Sequence, residues 1–294
     1  MNITVLLTAY REPRTVGKAI AAFLPQLPAH AELLVVCPDA ETTAVVQKLA
    51  RQDGRIRHIP DPAHGKPTAL NIGLQAARGD IIIFSDGDVT IADNALTYLL
   101  APFTESNVGA VTGRPISISP RHTCLGYWSH LLTDSAHHVR LARDQTARFL
   151  LCSGYLFAAR RALIPSIPTD ALAEDAVISH RIAEQGYRIR YAPQAIVYVK
   201  YPDNYQDWLR QKVRSAGGYA QTYVRKSPIQ MRSPWREVAD GTWLALRYPR
   251  SLRELGWTLA LFGARLHLWG AVFWQVRVRK RPLSTLWQRV ESTK

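Results

Sequence analysis

Short apolar runs alternate with helix-spaced segments through the first third of the chain, and this alternation constrains the fold more than any other feature. Ile3 to Thr8, Glu32 to Cys37, Ile56 to Ile59 and Asp80 to Phe84 read as strands. Thr15 to Leu24 reads as a helix stopped by Pro25 and Pro28, Thr42 to Gln52 as one ending at Asp53-Gly54, and Pro67 to Ala77 as one stopped by Gly79. The second strand is nearly all apolar, as parallel strands buried on both faces tend to be. Alternation of this kind implies an α/β domain with right-handed crossovers and an open, mainly parallel sheet. Ligands of such sheets bind beyond the carboxyl ends of the strands. Those ends carry Thr8-Ala9-Tyr10, Pro38-Asp39 and Ser85-Asp86-Gly87-Asp88, so three polar clusters are aimed at one crevice.

The segment Ile81-Ile82-Ile83-Phe84-Ser85-Asp86-Gly87-Asp88 is the most informative. Its two carboxylates follow a buried strand and are held together by backbone that cannot move far. Like charges at short range are unfavourable unless a cation neutralises them. Hard oxygen ligands suit Mg²⁺ or Mn²⁺, and Mg²⁺ typically combines few carboxylates with substrate phosphates. An Asx-type turn closing the strand would account for the same residues. Gly65-Lys66-Pro67 puts Lys66 at a helix N-terminus, where phosphate is favoured, although a solvated charge is the plainer account. Asp39 could accept hydrogen bonds from a nucleobase edge or serve as a turn residue. Ala173 to Arg181 opens another helix, with Glu174 and Asp175 in its first turn. The helix dipole explains one acid there; a carboxylate facing the crevice could act as general base. Gly186 ends that helix, and Arg188 to Tyr191 reads as a further strand.

Charge and aromatic residues are unevenly spread. The 294-residue chain carries a net charge of +14, which suggests an anionic partner: nucleic acid, a membrane surface or a phosphate-bearing substrate. Residues 226–294 hold thirteen Lys/Arg against four Asp/Glu, and six of the eight tryptophans: Trp235, Trp243, Trp257, Trp269, Trp274 and Trp287. Trp with Arg around apolar stretches is the composition of a membrane-interface segment. A helical subdomain that fills its own core is the other account. Leu255 to Val276 could cross a bilayer on length alone. Arg265 and His267 stand near its middle, and a central Arg costs about 2.5–3.5 kcal/mol on the insertion scale, so helices lying in the interface are favoured. The cluster Arg277, Arg279, Lys280, Arg281 follows at once. Cys37, Cys124 and Cys152 are far apart and odd in number, which argues against a disulfide framework and for a reducing compartment. The apolar run from Met1 to Leu7 is too short for a signal peptide. The expected organisation is a catalytic domain over 1–225 and a basic, helical, membrane-associating region over 226–294, at the cytoplasmic face of the cell membrane.

In order along the chain, Leu7-Thr8-Ala9-Tyr10-Arg11-Glu12, Val35-Val36-Cys37-Pro38-Asp39, Gly65-Lys66-Pro67-Thr68-Ala69-Leu70-Asn71, Ser85-Asp86-Gly87-Asp88, Ser153-Gly154-Tyr155-Leu156-Phe157, Ala173-Glu174-Asp175 and Gln211-Lys212-Val213-Arg214 resemble the motifs of the family 2 glycosyltransferases. The resemblance covers roughly residues 2 to 218. It implies the Rossmann-like GT-A fold, which binds nucleotide sugars, and inverting transfer with Mg²⁺ or Mn²⁺. It also implies roles. Thr8, Tyr10, Glu12 and Asp39 would hold the nucleoside, with Lys66 near the nucleotide. Asp86 would sit by the ribose and diphosphate, and Asp88, with Asp86 beside it, would ligate the metal. Asp175, paired with Glu174, would deprotonate the acceptor hydroxyl. Gln211 and Arg214 match the Gln-x-x-Arg-Trp motif of membrane-associated polysaccharide synthases, near the diphosphate and acceptor. Ser215 stands where that motif has Trp, which counts against polymer-type processivity but not against transfer. Arg11 replaces the usual Asn of the first motif, and Cys37-Pro38-Asp39 replaces an Asp-Asp pair.

The resemblance thus implies transfer of a sugar from a nucleoside diphosphate, most commonly uridine diphosphate, to a hydroxyl of a lipid or membrane-tethered glycan. A polysaccharide synthase-like enzyme is the nearest alternative. A sugar nucleotidyltransferase would place a Gly-rich phosphate loop after the first strand, where Thr8 to Glu12 has no glycine. A basic nucleic-acid-binding protein would explain the charge but not the buried strand ending in Asp86 and Asp88. No recognised nucleic-acid motif appears, so nucleic acid is not an expected partner. His137-His138 are adjacent in an expected helix and point to different sides, which argues against a metal pair. His180 reads as a packing or capping residue. Tyr127-Trp128 read as either the border of an acceptor site or core, and Gly217-Gly218 as a mobile loop or tight turn.

Overall fold

A computed structural model describes residues 2–164, 166–221, 227, 229, 242–274 and 291–293. Its centre is an eight-stranded sheet: β1 (Ile3–Thr8), β2 (Glu32–Cys37), β3 (Ile56–Pro60), β4 (Ile81–Asp86), β5 (Thr90–Ile91), β6 (Val108–Ser117), β7 (Leu156–Arg160) and β8 (Arg188–Val199). The spatial order is β3-β2-β1-β4-β7-β6-β8-β5. The first four in that order are mutually parallel, and β6 is parallel to β8. Strands β7 and β5 run against their neighbours, which makes the sheet mixed but mostly parallel.

Alternate side chains of the apolar strands feed two cores. Val5, Leu7, Leu33, Val35, Ile81 and Ile83 face α1 (Val16–Phe23) and α4 (Ala95–Leu100). Leu6, Leu34, Val36, Ile82 and Phe84 face α3 (Lys66–Ala76) and α6 (Glu174–Glu184). Each such side chain removed from water contributes about 1.5–3 kcal/mol, which fixes the sheet between two helical layers. Helix α2 (Ala40–Ala50) begins two residues before the sequence expectation because Asp39 caps it, accepting from the Thr42 amide at 2.9 Å. Gly186, with φ +85°, ends α6 as expected.

The sequence pattern did not announce β5, β6 and β7, and β8 is twelve residues long where a strand over Arg188 to Tyr191 is expected. Strand β6 contains Gly109, Gly113 and Pro115, which break its apolar pattern. A Cβ at Gly113 would stand 2.6 Å from the Ala195 carbonyl, so glycine is needed where the β6–β8 register slips.

Three further helices cover the far end: α5 (Cys124–Gln145), α7 (Tyr205–Ala220) and α8 (Leu252–Phe273). Gly217-Gly218, expected as a loop or turn, are inside α7. Helix α8 docks on α5 and α7 rather than standing apart. Trp128 Nε1 donates to the Trp257 carbonyl at 2.7 Å, and the Tyr127 and Thr258 hydroxyls lie 2.8 Å apart. Arg121 reaches Glu254 at 3.3 Å and stacks over Tyr248, whose hydroxyl donates to Asp134 at 2.6 Å. Tyr127, Trp128, Trp208, Leu261 and Ala264 share one buried cluster, so Tyr127-Trp128 are core. His267 bonds the Tyr205 hydroxyl at 2.9 Å. The opposite face of α8 exposes Leu252, Leu255, Leu259, Leu266, Trp269 and Phe273. No described helix is long and apolar enough to cross a membrane. Trp235, Trp287 and the cluster Arg277, Arg279, Lys280 and Arg281 lie outside the described residues.

Candidate active site

The carboxyl ends of β1, β2 and β4 converge as expected. The Thr8 hydroxyl donates to Asp86 Oδ1 at 3.1 Å. Asp39 accepts from the Thr42 amide and, at 2.7 Å, from the amide of Arg11, whose φ of 54° lets the loop after β1 reach it. Partial burial works against the Asp39 charge, but these amides outweigh it and hold the carboxyl below its ordinary value. Asp39 therefore joins the loops after β1 and β2. The Glu12 amide adds a second tie, donating to Thr42 Oγ1 at 2.8 Å. Glu12 itself is buried, and its side chain presses on the turn of the two aspartates: a Cβ at Gly87 would stand 2.6 Å from Glu12 Oε2. The Arg11 guanidinium lies over the Tyr10 ring, 5.3 Å from its centroid.

Lys66 joins the two halves of the sheet. It opens α3, where Gly65 turns the chain with φ +99°, and its Nζ lies 2.7 Å from Asp86 Oδ1 and 2.9 Å from Glu174 Oε1. Burial opposes its charge, yet Asp86 and then Glu174 outweigh that and keep Lys66 firmly protonated. It is thus an ion-paired group and not the solvated charge of the plainer account. Glu174 and Asp86, far apart in sequence, are brought to one amine.

Asp175 follows Glu174 and is held separately. Its Oδ2 accepts from the Gly154 amide and its Oδ1 from the Ala176 amide, both at 2.9 Å. Burial and the neighbouring Glu174 charge push its carboxyl up to about 6; Lys66 and the two amides pull the other way. A carboxylate with that proton affinity is suited to accept a proton near neutral pH. The supporting loops are pinned. The Ser153 amide donates to Thr112 Oγ1 at 2.8 Å and the Cys152 amide to Ser179 Oγ at 2.9 Å. The segment before Glu174 is clasped by the buried Gln221. This side chain accepts from the Leu172 amide and donates to the Asp170 carbonyl, each at 2.7 Å. A Cβ at Gly218 would lie 2.5 Å from that of Ala173, so α7 runs tight against the same segment.

Tyr155 lies where the remaining groups meet. Burial raises its phenol to about 12; Arg214 opposes this, while Asp88 and Asp86 add to it. Its ring packs edge-on to Tyr201, centroids 6.0 Å apart. Arg214 and Asp88 therefore act on one hydroxyl, which brings the motif on α7 to the strand-end acids. Gln211 presents a buried Oε1 with no hydrogen-bond partner among the described residues. Ser215 is exposed and bonds back to the Gln211 carbonyl at 3.0 Å. Tyr155, Tyr201 and Gln221 were given no role by the sequence. Ser153-Gly154-Tyr155 was a visible signal for the first, but nothing local distinguishes Gln221. His137 bonds the Tyr191 hydroxyl at 2.7 Å, and His180 packs on Phe149 as a buried residue, as expected.

Among the described residues, no three His, Cys, Asp or Glu side chains gather closely enough to enclose a metal ion. Asp86 and Asp88 would hold a divalent ion only together with oxygens of a bound diphosphate. Few carboxylates with phosphate oxygens is the donor set expected for Mg²⁺, so the residues fit such an ion on that condition.

Comparison with known proteins agrees with this geometry. The family described as Glycosyltransferase like family 2 matches residues 1–218. A probable glycosyltransferase, YdaM, of Bacillus subtilis (strain 168) is 28% identical over 232 residues, covering 74% of this chain and 55% of that protein. The poly-beta-1,6-N-acetyl-D-glucosamine synthase of Staphylococcus aureus (strain COL) is 26% identical over 232 residues, covering 76% and 56%. The chain thus spans about half the length of the curated relatives it matches. The structure of the mannosyltransferase PcManGT from Pyrobaculum calidifontis, in complex with GDP-Man and Mn2+, superposes with a TM-score of 0.64 at 20% identity, covering 97% of this chain and 84% of that one. That likeness gives the fold as GT-A. With the match running from the first strand into α7, through every group assembled above except Gln221, the chain belongs to the family 2 glycosyltransferases.

Proposed function

We propose that this glycosyltransferase moves a sugar, with inversion, from a uridine diphosphate donor to a hydroxyl of a lipid or membrane-tethered glycan at the cytoplasmic membrane surface. The observation that carries the reading is the Lys66 bridge, which ties the strand-end acid Asp86 to Glu174 and so sets Asp175 beside the nucleotide crevice. The acceptor oxygen attacks the anomeric carbon from the face opposite the leaving diphosphate, and Asp175 takes its proton. Glu174 keeps the affinity of Asp175 for that proton high. Thr8, Tyr10, Glu12 and Asp39 hold the nucleoside, with Gln211 and Arg214 approaching the diphosphate from α7. Asp88 and Asp86 would hold a divalent ion together with the donor, and that ion would supply positive charge at the diphosphate. The Mn2+ and GDP-Man bound by PcManGT support the donor class and the ion. The synthases among the relatives support a glycan acceptor. Ser215 in place of Trp favours few transfers per acceptor over a long polymer.

The membrane reading rests on the basic, Trp-rich tail and on the outward apolar face of α8. Incubation with a panel of nucleotide sugars, Mn²⁺ or Mg²⁺ and a membrane lipid extract should give one lipid a mass gain of one hexose-type unit. No mass gain and no donor consumption with any sugar would end the proposal. Because α8 shares a core with α5, the anchor is best probed without truncation. Leu259→Glu with Leu266→Glu should stop the folded protein from floating with phosphatidylglycerol vesicles; unchanged flotation would remove α8 as the anchor.

A further inference from the structure

The helical turn that carries Asp175 has no cap of its own. Ala173, the residue before α6, brings no side-chain acceptor to the free amides of the first turn. Glu174 is fixed by Lys66 instead, and Asp175 is fixed from the loop before β7. That loop spends three successive amides on side chains. Cys152 donates to Ser179 Oγ at 2.9 Å, Ser153 to Thr112 Oγ1 at 2.8 Å and Gly154 to Asp175 Oδ2 at 2.9 Å. Cys152 and Ser153 are buried, and Thr112 and Ser179 have no exposed surface at all. No water stands ready there to replace a lost partner, so each of these bonds is expensive to break.

Ser179 does more than accept. It lies one turn after Asp175 on α6, and its hydroxyl donates to the Asp175 carbonyl at 2.6 Å. A serine hydroxyl has a single proton, so donating it there leaves only lone pairs for the Cys152 amide, and the two bonds fix one rotor. A serine bonding back to the fourth residue before it is ordinary in a helix. An oxygen that also receives an amide from a separate segment serves something other than the helix. The contacts close a ring. It runs from the Asp175 carboxyl to the Gly154 amide, back along the loop to the Cys152 amide, and through Ser179 Oγ to the Asp175 carbonyl. The carboxyl and the backbone of one residue are thus held by the same three-residue loop.

We infer that Ser179 is a positioning residue for sugar transfer, a role that rests on Asp175 as the base: it locks residues 152–154 to the turn of Asp175 and keeps the Gly154 amide on the carboxyl that takes the acceptor proton. Thr112 has the complementary part, since it ties the same loop to β6 and not to the base. The two hydroxyls therefore separate anchoring from positioning. An amide donated to a carboxylate favours its charged form, so a Gly154 amide that slips away leaves Asp175 harder to ionise.

The test compares Ser179→Ala, Ser179→Thr, Thr112→Val and Asp175→Asn in the full chain. Nucleotide release is followed across about pH 5–9 with a membrane lipid extract and whichever nucleotide sugar it causes to be consumed. Hydrogen exchange of the peptide spanning residues 152–154 is followed by mass spectrometry without any ligand. Ser179→Ala should speed that exchange roughly tenfold or more. It should also move the rise of kcat upward by about one pH unit, so that kcat falls about fivefold near pH 6 and stays within about twofold near pH 8. The donor KM should not move. Ser179→Thr, which keeps the hydroxyl, should restore both readouts. Ser179→Cys, close in size but a weak donor and acceptor, should shift the rise less than alanine and serves if the alanine variant does not fold. Thr112→Val should lower the melting temperature while leaving the rise of kcat where it is. An unshifted rise or unchanged exchange in folded Ser179→Ala, or an equal shift in Thr112→Val, would overturn the positioning role. Loss of turnover in Asp175→Asn beside those results would leave the base assignment standing. Wild-type turnover in Asp175→Asn would remove the base assignment itself.

Discussion

The two halves of the sheet solve different problems. In the parallel half, β3-β2-β1-β4, the candidate acids are placed by backbone: Asp39 by two amides, Asp86 and Asp88 by the turn that ends a buried strand. In the mixed half, β7-β6-β8-β5, Asp175 is likewise held by two amides, but its surroundings are pinned by side chains: its loop through Thr112 and Ser179, and the segment before it through Gln221. The first arrangement repeats the strand-turn-helix pattern, each acid standing at the end of its own strand. The second depends on residues tens of positions apart. Donor binding should therefore track the first half and proton transfer the second.

The sharpest test of that division is Asp175→Asn. Turnover should fall roughly 10²–10⁴-fold, the usual worth of a general base, with UDP affinity within twofold of wild type. A parallel loss of UDP affinity would erase the distinction. Asp88→Ala should do the opposite first, weakening UDP binding at least tenfold with Mn²⁺ present and little without it, as calorimetry would register. Gln221→Leu removes two buried hydrogen bonds at roughly 1 kcal/mol or more each, so the melting temperature should drop by several degrees. Its kcat should fall while the donor KM stays; a raised donor KM instead would mean that Gln221 serves the nucleotide half.

pH separates the halves further. Asp175 must be ionised to act, so kcat should rise as pH passes about 6, and Glu174→Gln should move that rise downward. The stability sign is opposite. A carboxyl raised in the folded state contributes most below its ordinary value and loses that contribution as pH climbs through about 6. Asp175→Asn should therefore melt higher than wild type at pH 8 and not at pH 4. The smallest effect belongs to Asp39→Asn. Asn keeps the cap on Thr42 but turns its NH2 group toward the Arg11 amide that Oδ2 now accepts, so one hydrogen bond is lost and the melting temperature should drop by a few degrees at most. UDP affinity should nonetheless fall if the carboxylate meets the nucleobase, and an unchanged affinity would leave Asp39 as a cap alone.

This asymmetry also decides what could be read from the chain beforehand. Strands β1, β2 and β4 were legible because burial on both faces makes them nearly uninterrupted apolar runs, and the half-exposed β3 because of its place in the alternation; Asp86, Asp88 and Asp39 were legible as candidates because they stand at strand ends that face one crevice. Lys66 was placed correctly at a helix start, but its pairing to both Asp86 and Glu174 has no local mark. Strand β6 was hidden by Gly109, Gly113 and Pro115; the two glycines are required by Ile182 and Tyr187 and by the Ala195 carbonyl of β8, all distant in sequence. Gln221 was invisible because its function is a contact 49 residues back along the chain. The tail's tryptophans suggested either membrane or core; among those described, Trp257 joins the docked core and Trp269 faces outward.

The missing side chain at Gly218 has a mechanical meaning. With no gap at Ala173 for even a methyl group, α7 cannot slide past the base-bearing segment without taking it along. The close seat of α7 on Ala173 thus leaves the position of Asp175, two residues on, dependent on where α7 lies.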